Sequence, residues 1–278
     1  MLILFFTACQ DFAEPPPPIG GSLSVLTYNV HGLPSLVTGD NTNQRIATIG
    51  PLLNDFDVIG LQEVFNNTHH DTLVAKSTHA THLAFSDKKF GRPSSSGLSI
   101  FSGAKLVAHH HEHYEHCYGT LSNSSDCMAA KGFQIARLEL SPTVTIDVLN
   151  THMDAGSALK DQQARETQIE QMITTVTTWS ANQPMILMGD LNLHPEVPTQ
   201  QKSILRLMKA LNLQDSCEQT GCTETKHIDR ILYRSSPKLQ LSVQQWKNEP
   251  AFFDTKGAPM SDHPALSARF SWQKTPEE

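Results

Sequence analysis

The chain has 278 residues, of which 38% are hydrophobic and 18% are charged, so it is suited to one large globular domain and is not a disordered chain. Its formal net charge of −7 provides no basic surface for long-range attraction to nucleic acid or anionic lipid. A bound divalent metal could reverse that charge locally, so the charge disfavours a polyanionic substrate without excluding one.

The first nine residues are largely apolar and end at Cys9, and a proline-rich segment follows at 11–18. This start resembles the end of a bacterial lipoprotein signal in which Cys9 is the lipidated residue, although it lacks a cationic start and its apolar run is short. The alternative is a frayed apolar terminus. No later stretch approaches the roughly 20 apolar residues that a membrane-spanning helix needs.

These features predict three regions: a signal-like N-terminus with its proline-rich linker at 1–21, one folded domain at 22–273 and a short tail at 274–278. The domain begins after the prolines and ends after the last β-prone run. The lipoprotein-like start predicts an exported protein, either attached to a bacterial cell envelope or secreted.

Strand-like and helix-like patterns alternate along the domain. Short β-prone runs predict strands at 23–30, 57–64, 97–101, 132–140, 144–152, 185–188, 228–233 and 265–270. Apolar residues at helical spacing predict helices at 45–53, 68–79, 158–179 and 202–211. Because strand pairs that look antiparallel are mixed with strand–helix–strand units, this order favours an α/β sandwich over a simple doubly wound sheet.

Apart from Cys9, the cysteines fall into two groups that are close in sequence, Cys117 with Cys127 and Cys217 with Cys222. An even number of cysteines in an exported chain predicts two local disulfides with these pairings. Three pairings are formally open, and free buried thiols are the alternative.

Polar side chains recur where the predicted strands end. They are Asn29, Glu63, His152, Asp190, Asn192, Asp229, Asp262 and His263. Strand interiors favour β-branched and aromatic residues, so this recurrence predicts that the side chains converge on one site. Each has an ordinary alternative, such as a turn hydrogen bond, a surface charge, a core histidine or a local ion pair.

Six short motifs contain these residues: Thr27-Tyr-Asn29-Val-His-Gly, Leu61-Gln-Glu63-Val, Asn150-Thr-His152, Gly189-Asp190-Leu-Asn192, His227-Ile-Asp229-Arg230-Ile and Ser261-Asp262-His263-Pro264. Their order resembles the endonuclease/exonuclease/phosphatase superfamily, which is also called DNase I-like, over residues 22 to 272. The resemblance implies a four-layer α/β/β/α sandwich and metal-dependent cleavage of a phosphate ester.

The resemblance also implies a metal site. By position, Glu63 corresponds to the main Mg²⁺ ligand with Asn29 beside it, and Asp262 would support the metal or its water. Oxygen ligands suit a hard cation such as Mg²⁺, and Mn²⁺ is expected to substitute for it.

Further roles follow from the same correspondence. His263 corresponds to the general base that activates water, and Asp229 to the carboxylate that fixes its tautomer. Asp190 and Asn192 would orient water and hold phosphoryl oxygens. His152 would donate a hydrogen bond to the phosphate or protonate the leaving group.

Two stretches make the chain similar to sphingomyelinases within this superfamily. Glu63 is followed by Val-Phe-Asn, as in those enzymes, whereas DNA-repair members usually have Thr-Lys there. The segment from Asp126 to Gly132 is similar to a sphingomyelinase segment, and its Lys131 is predicted to approach the substrate phosphate. The alternative for Lys131 is a cationic turn residue before a strand.

An aromatic segment, Trp246-Lys-Asn-Glu-Pro-Ala-Phe252-Phe253, lies where bacterial sphingomyelinases have an aromatic hairpin that enters the bilayer interface. Aromatic side chains favour that interface, so Trp246, Phe252 and Phe253 are predicted to contact lipid. Ordinary packing of these side chains is the alternative.

A histidine-rich stretch runs from His109 to His116. Imidazoles at varied spacing could bind a transition metal. The resemblance gives this stretch no role, and the sequence favours a solvated loop near the mouth of the active site.

The resemblance therefore predicts a monomeric, exported, Mg²⁺-dependent phosphodiesterase similar to sphingomyelinase, which converts sphingomyelin to ceramide and phosphocholine at a phospholipid surface. The alternative is an exported DNase I-like nuclease, and only under that interpretation is nucleic acid a partner. The presence of every matched polar residue argues against a non-catalytic binding module on the same scaffold.

Overall fold

The computed structural model describes residues 20–120, 125–224 and 226–275. The strands are β1 (Gly20–Asn29), β2 (Val58–Gln62), β3 (Thr81–Phe85), β4 (Leu98–Ser102), β5 (Lys105–His113), β6 (Gly132–Ser141), β7 (Val144–His152), β8 (Met185–Asp190), β9 (Gln214–Asp215), β10 (Asp229–Arg234), β11 (Leu239–Asn248) and β12 (Leu266–Lys274). The helices are α1 (Ser35–Thr38), α2 (Thr42–Leu52), α3 (Asn67–Lys76), α4 (Leu159–Trp179), α5 (Pro198–Leu211) and α6 (Ser216–Gln219). The predicted lipoprotein-like start and Cys9 lie outside the described residues.

The strands form two six-stranded sheets. The strand order is β11-β12-β1-β2-β4-β3 in the first sheet and β5-β6-β7-β8-β10-β9 in the second. The neighbours β1 and β2 are parallel, as are β7 and β8, whereas β8 and β10 are antiparallel. Because parallel neighbours end at the same edge of a sheet, each parallel pair brings two C-terminal strand ends together.

The two sheets pack face to face around one apolar core. Val25 and Val58 contribute to it from the first sheet, and Val148 and Ile186 contribute from the second. All four side chains are completely buried, which is the pattern expected of strands whose inner face packs on another sheet.

Helices cover the outer faces of both sheets. Ile46 of α2 and Leu73 of α3 pack on the first sheet. Met172 of α4 and Leu207 of α5 pack on the second sheet, each on the apolar stripe of its helix. The layers are therefore α/β/β/α, and the predicted fold class is confirmed.

The histidine-rich stretch differs from the prediction. The residues from His109 to His113 lie on β5, at the edge of the second sheet, rather than in a solvated loop. His111 Nε2 lies 3.1 Å from Asp87 Oδ2, and His110 Nε2 lies 2.8 Å from Glu112 Oε1. An edge strand with half-exposed polar side chains on both faces lacks the apolar alternation that identifies a strand in a sequence.

Both predicted disulfides are present. Cys117 is bonded to Cys127 and Cys217 to Cys222, with Cα–Cα distances of 5.4 Å and 5.1 Å. The first closes the connection between β5 and β6, and the second closes the turn after α6. Each therefore constrains a loop that adjoins the second sheet.

The described residues contain no helix that is long and apolar enough to cross a membrane.

Candidate active site

Several strand ends meet at one edge of the sandwich. In the first sheet Asn29 is the last residue of β1 and lies opposite Gln62 at the end of β2. In the second sheet Asp190, at the end of β8, lies between His152 of β7 and Asp229 of β10. The predicted convergence of polar side chains at strand ends thus follows from the register of the two sheets.

Three residues that follow these strands have a left-handed backbone: His31 with φ 48°, Glu63 with φ 62° and Asn192 with φ 49°. This region is uncommon for residues other than glycine and often marks functional sites. At Glu63 the close neighbours are glycines. A Cβ on Gly32 would lie 2.2 Å from the Glu63 carbonyl oxygen, and a Cβ on Gly97 would lie 3.1 Å from Glu63 Cα. The two glycines allow the tight turn that aims the Glu63 side chain into the site.

Asn29 joins the two sheets at the site. Its Nδ2 donates to Glu63 Oε1 at 3.1 Å and to Asp190 Oδ2 at 3.2 Å. Its Oδ1 accepts a hydrogen bond from the His31 backbone N–H at 3.0 Å. One amide therefore fixes two acidic side chains that come from different sheets.

The Glu63 carboxylate suits a hard cation. Burial raises the pKa of Glu63, although the hydrogen bond from Asn29 lowers it. Among the described residues Glu63 Oε2 is buried and has no hydrogen-bond partner. A buried, unpaired carboxylate oxygen beside a second acidic residue, Asp190, is a donor set of the kind that Mg²⁺ prefers. These residues therefore fit the predicted metal.

His263 and Asp229 form a hydrogen-bonded pair beside Asp190. His263 Nδ1 donates to Asp229 Oδ2 at 2.8 Å, and His263 Nε2 lies 3.8 Å from Asp190 Oδ2. One ligand atom from each of the three residues lies within 4.8 Å of the others. Burial alone would lower the pKa of His263, but the hydrogen bond and negative charge of Asp229 outweigh it and raise that pKa to about 10. Burial and the charge of Asp229 raise the pKa of Asp190 to about 6.

His152 flanks Asp190 on the side away from Asp229, and it lies beside the buried ion pair of Lys131 and Asp126. Lys131 Nζ donates to Asp126 Oδ1 at 2.5 Å, to His152 Nε2 at 3.0 Å and to the Met153 carbonyl at 2.9 Å. These bonds use the three ammonium hydrogens, so none is left for the phosphate contact that the sequence predicted for Lys131. Burial and the charge of Lys131 lower the pKa of His152 well below its usual value, which favours the neutral ring.

The two remaining polar positions differ in their burial. The Asn192 backbone N–H donates to Asp190 Oδ1 at 2.9 Å, and its Nδ2 donates to the Met153 carbonyl at 3.1 Å. The side chain of Asp262 is 58% exposed, and its Oδ1 lies 3.5 Å from His31 Nδ1. Asn192 thus belongs to the buried cluster, whereas Asp262 lies at its exposed rim.

The structure contradicts the predicted aromatic edge at one of its three residues. Phe252 is buried and packs on Tyr28, with 4.9 Å between ring centroids, and Trp246 on β11 is half-buried with its ring 5.2 Å from His227. Phe253 alone of the three aromatics is exposed. The prediction that Phe252 contacts lipid is therefore wrong, because this side chain fills the core between the first sheet and its helices.

Two buried amides beneath the site received no role from the sequence. Gln62 Nε2 donates to Asn150 Oδ1 across the two sheets at 2.7 Å, and Asn150 Nδ2 donates to the Leu61 carbonyl at 2.9 Å. Both are polar residues within buried strands, and this is the sequence signal that could have identified them. They hold the two sheets in register directly below Asn29 and His152.

Arg45 is a further residue whose role the sequence did not reveal. From α2 it donates to the His31 carbonyl at 2.8 Å and to the Met260 carbonyl at 3.0 Å. It therefore ties the loop after β1 to the segment that leads to His263. A single arginine at the start of a helix gives no sequence signal for this role.

Comparison with known proteins identifies the family to which the chain belongs. Residues 26–263 match the Endonuclease/Exonuclease/phosphatase family. A sphingomyelinase of Mycobacterium bovis is 28% identical over 270 residues, and the alignment covers 90% of this chain and 52% of that protein. The chain thus spans about half the length of this relative.

Solved structures share the fold. Sphingomyelinase C from Streptomyces griseocarneus is 18% identical with a TM-score of 0.67, and the match covers 90% of this chain and 99% of that chain. A beta toxin mutant from Staphylococcus aureus with bound magnesium ions is 16% identical with a TM-score of 0.67, over 89% of this chain and 99% of that chain. With the family match extending over most of its length, the chain belongs to the endonuclease/exonuclease/phosphatase family.

Proposed function

We propose that this protein is a metal-dependent phosphodiesterase that hydrolyses sphingomyelin to ceramide and phosphocholine. One observation carries the proposal: Asp190 lies between the Asn29–Glu63 pair and the His263–Asp229 pair. A metal site and a base for water thus adjoin the same buried carboxylate. The 28% identity to a sphingomyelinase supports this substrate within the family.

Glu63, Asn29 and Asp190 would hold a Mg²⁺ ion. When bound, the ion supplies positive charge that stabilises the phosphoryl oxygens and lowers the pKa of the neighbouring His263. The magnesium ions in the Staphylococcus aureus beta toxin structure support this choice of metal. Asp262, with its exposed side chain, is left out of this ligand set.

The catalytic step needs a base that can take a proton from water. Asp229 accepts the Nδ1–H of His263 and so fixes the ring orientation, which leaves Nε2 to receive the proton. Water gives a proton to His263 Nε2 as it attacks phosphorus, and the bond from phosphorus to the ceramide oxygen breaks with its electron pair on that oxygen. The ceramide oxygen takes up a proton from solvent, and His263 returns its own proton to solvent. Asn192 orients Asp190 through its backbone N–H.

Lys131 acts as a positioning residue in this proposal. Two of its hydrogen bonds fix the ammonium group on Asp126 and the Met153 carbonyl, and the third goes to His152 Nε2, which lies 3.5 Å from Asp190 Oδ2. A hydrogen bond from His152 Nε2 to the substrate phosphate or the leaving group remains part of the proposal, and it requires Lys131 to release that nitrogen.

Export and a lipid anchor at Cys9 also belong to the proposal. Lipid labelling of the wild-type protein, compared with that of Cys9→Ser, tests the anchor.

A comparison of substrates tests the proposed function. With Mg²⁺ present, sphingomyelin is expected to be hydrolysed at least about 10-fold faster than phosphatidylcholine. This ratio corresponds to a difference of about 1.4 kcal/mol in transition-state binding between the two lipids. Plasmid DNA is the third substrate and should remain intact. Rapid cutting of DNA with no hydrolysis of sphingomyelin would establish the nuclease alternative instead.

A further inference from the structure

The face of β5 that looks towards the first sheet carries polar side chains. His111 lies opposite Gln134 of β6 and His109 lies opposite Ala136, which belongs to the apolar core between the two sheets. Residues directly opposite each other in an antiparallel pair share a face, so both histidines lie on this inner face. The inner faces of packed sheets normally carry apolar residues, so two imidazoles and an amide at this place call for an explanation.

Buried polar atoms on the inner face of β5 and β6 lack partners. Among the described residues, His109 Nε2 and both amide atoms of Gln134 are buried and make no hydrogen bond of normal geometry, although the Gln134 amide lies beside the His109 ring. The Gln134 side chain is completely buried. Unpaired polar groups in a protein interior are unfavourable, and a bound ion is one of the few features that account for them.

The two rings are spaced as two ligands of one metal ion would be. The ring centroids of His109 and His111 are 5.2 Å apart, and their planes are inclined at 41°. A tetrahedral Zn²⁺ bound by two imidazoles, with metal–nitrogen distances of about 2.0–2.1 Å, places the two ring centroids about 5 Å apart. Alternate residues of a strand share a face, so the backbone of β5 itself provides this spacing.

Asp87 provides a carboxylate from the first sheet. Edge strands β3 and β5 face each other across the sandwich, where Phe85 of β3 lies against the His111 ring at 4.4 Å between centroids. Asp87 follows β3, and its Oδ2 is 3.1 Å from His111 Nε2. The carboxylate is thus brought to the same side of the sandwich as the two imidazoles.

A bound metal requires a local adjustment of exposed side chains. His109, His111 and Asp87 do not yet bring one ligand atom each within 4.8 Å of the others. The side chains of His111 and Asp87 are 38% and 67% exposed, so both can turn towards the buried His109 nitrogen. Such a turn is a change between staggered rotamers at the surface and needs no movement of the core.

The other histidines of β5 already have partners. His110 lies on the opposite face, where its Nε2 is 2.8 Å from Glu112 Oε1. His113 Nδ1 donates to the Ala130 carbonyl at 2.7 Å. The candidate ligands on this side of the sandwich are therefore the two inner-face imidazoles described above and the carboxylate of Asp87.

We propose that His109, His111 and Asp87 bind one divalent transition-metal ion of the Zn²⁺ and Cu²⁺ class. Imidazole nitrogens favour these ions, whereas Mg²⁺ favours oxygen ligands, so this ion is distinct from the one proposed at Glu63. The carboxylate comes from the first sheet and the imidazoles from the second, so the ion clamps the two sheets together at this edge. The inference does not depend on the substrate of the protein.

Calorimetric titration of the full chain with Zn²⁺ tests the inference. Because Zn²⁺ can also occupy the proposed Mg²⁺ site, the number of bound ions is compared between variants at saturating Mg²⁺. Wild type should bind one Zn²⁺ per chain more than the double variant His109→Ala/His111→Ala. Asp87→Asn changes only an exposed side chain, and it should weaken binding of that ion at least about 10-fold, since loss of residues that merely support metal ligands costs about 10–100-fold.

A matched control removes two other histidines that lie beside carboxylates. His110 is 2.8 Å from Glu112 and His194 is 3.4 Å from Glu196, and neither lies on the inner face of β5. The double variant His110→Ala/His194→Ala should bind as many Zn²⁺ ions as wild type. Loss of an ion in this control, or unweakened Zn²⁺ binding in Asp87→Asn, would overturn the inference. So would equal numbers of bound ions in wild type and His109→Ala/His111→Ala.

Thermal unfolding tests the clamp by a second readout. At a free Zn²⁺ concentration about 100 times the dissociation constant, Zn²⁺ should raise the unfolding temperature of wild type at least about 5 °C more than that of His109→Ala/His111→Ala. Equal shifts in the two proteins would contradict the clamp. A wild-type dimer that forms only with Zn²⁺ would place the ion between two chains and overturn the site within one chain.

Discussion

Replacing His263 by alanine is expected to lower turnover of sphingomyelin at least about 100-fold, since general-base catalysis typically contributes 10²–10⁴-fold. The expected cause is the loss of Nε2, the one nitrogen of this ring that Asp229 leaves for the attacking water. Steady-state rates at saturating Mg²⁺ measure the effect. Thermal unfolding should remain cooperative, because the ring fills a half-buried position at the rim of the site.

His111→Ala is the control for His263→Ala, since His111 is an exposed histidine on the edge strand β5. It should keep wild-type turnover. Asp229→Asn should lower turnover less than His263→Ala, because the amide can still contact Nδ1 but no longer carries the charge that favours the imidazolium. Near-normal turnover in His263→Ala together with a large loss in His152→Ala would exchange the roles of the two histidines.

Replacing Glu63 by glutamine is expected to raise the Mg²⁺ concentration needed for half-maximal activity at least about 100-fold, because loss of residues that merely support metal ligands already costs about 10–100-fold in affinity. Glutamine keeps the shape of the side chain and an oxygen that can accept the hydrogen bond from Asn29, but it lacks the negative charge that binds the metal. Titration of activity with Mg²⁺ after treatment with EDTA measures the effect, and wild type should recover fully with Mg²⁺ or Mn²⁺.

Glu139→Gln is the matched control, since Glu139 lies at the far end of β6 beside Lys105, with 3.5 Å between the charged atoms. Its Mg²⁺ requirement should equal that of wild type. An unchanged requirement in Glu63→Gln, or full wild-type activity in EDTA, would place the metal elsewhere or remove it from the reaction.

The candidate site could be predicted from the sequence because its residues lie at or beside the ends of strands. The run Met185–Met188 is strongly apolar, and Gly189 and Asp190 follow it directly. Both the strand and the acidic side chain at its end can therefore be recognised in the sequence. The register between β7, β8 and β10 then places His152 and Asp229 beside Asp190. Strand ends at the same edge of a sheet lie side by side, whatever conformation the connecting loops adopt.

The aromatic segment could not be predicted in the same way. Phe252 is buried because Tyr28 and Phe56 lie against it, and both come from segments about 200 residues earlier in the chain. Its neighbours in the sequence, Pro250 and Phe253, give no indication of that contact. Burial of a single aromatic outside a regular element depends on tertiary packing, which local patterns do not contain.

Lys131 shows a similar limit. Its position after Ala129 and Ala130 is compatible with a phosphate contact, and the motif alone favoured that role. The structure gives its ammonium group to Asp126, His152 and a carbonyl instead. Whether a buried cation is paired depends on the surrounding polar groups, and these come from distant parts of the chain.

The most direct test of the account is the fate of the oxygen of water during hydrolysis of sphingomyelin. In water enriched in oxygen-18 and with Mg²⁺ present, mass spectrometry should find one labelled oxygen in each phosphocholine and none in ceramide, because water activated by His263 attacks phosphorus. Label in the ceramide hydroxyl, or no release of phosphocholine by a folded, Mg²⁺-loaded protein, would contradict the account.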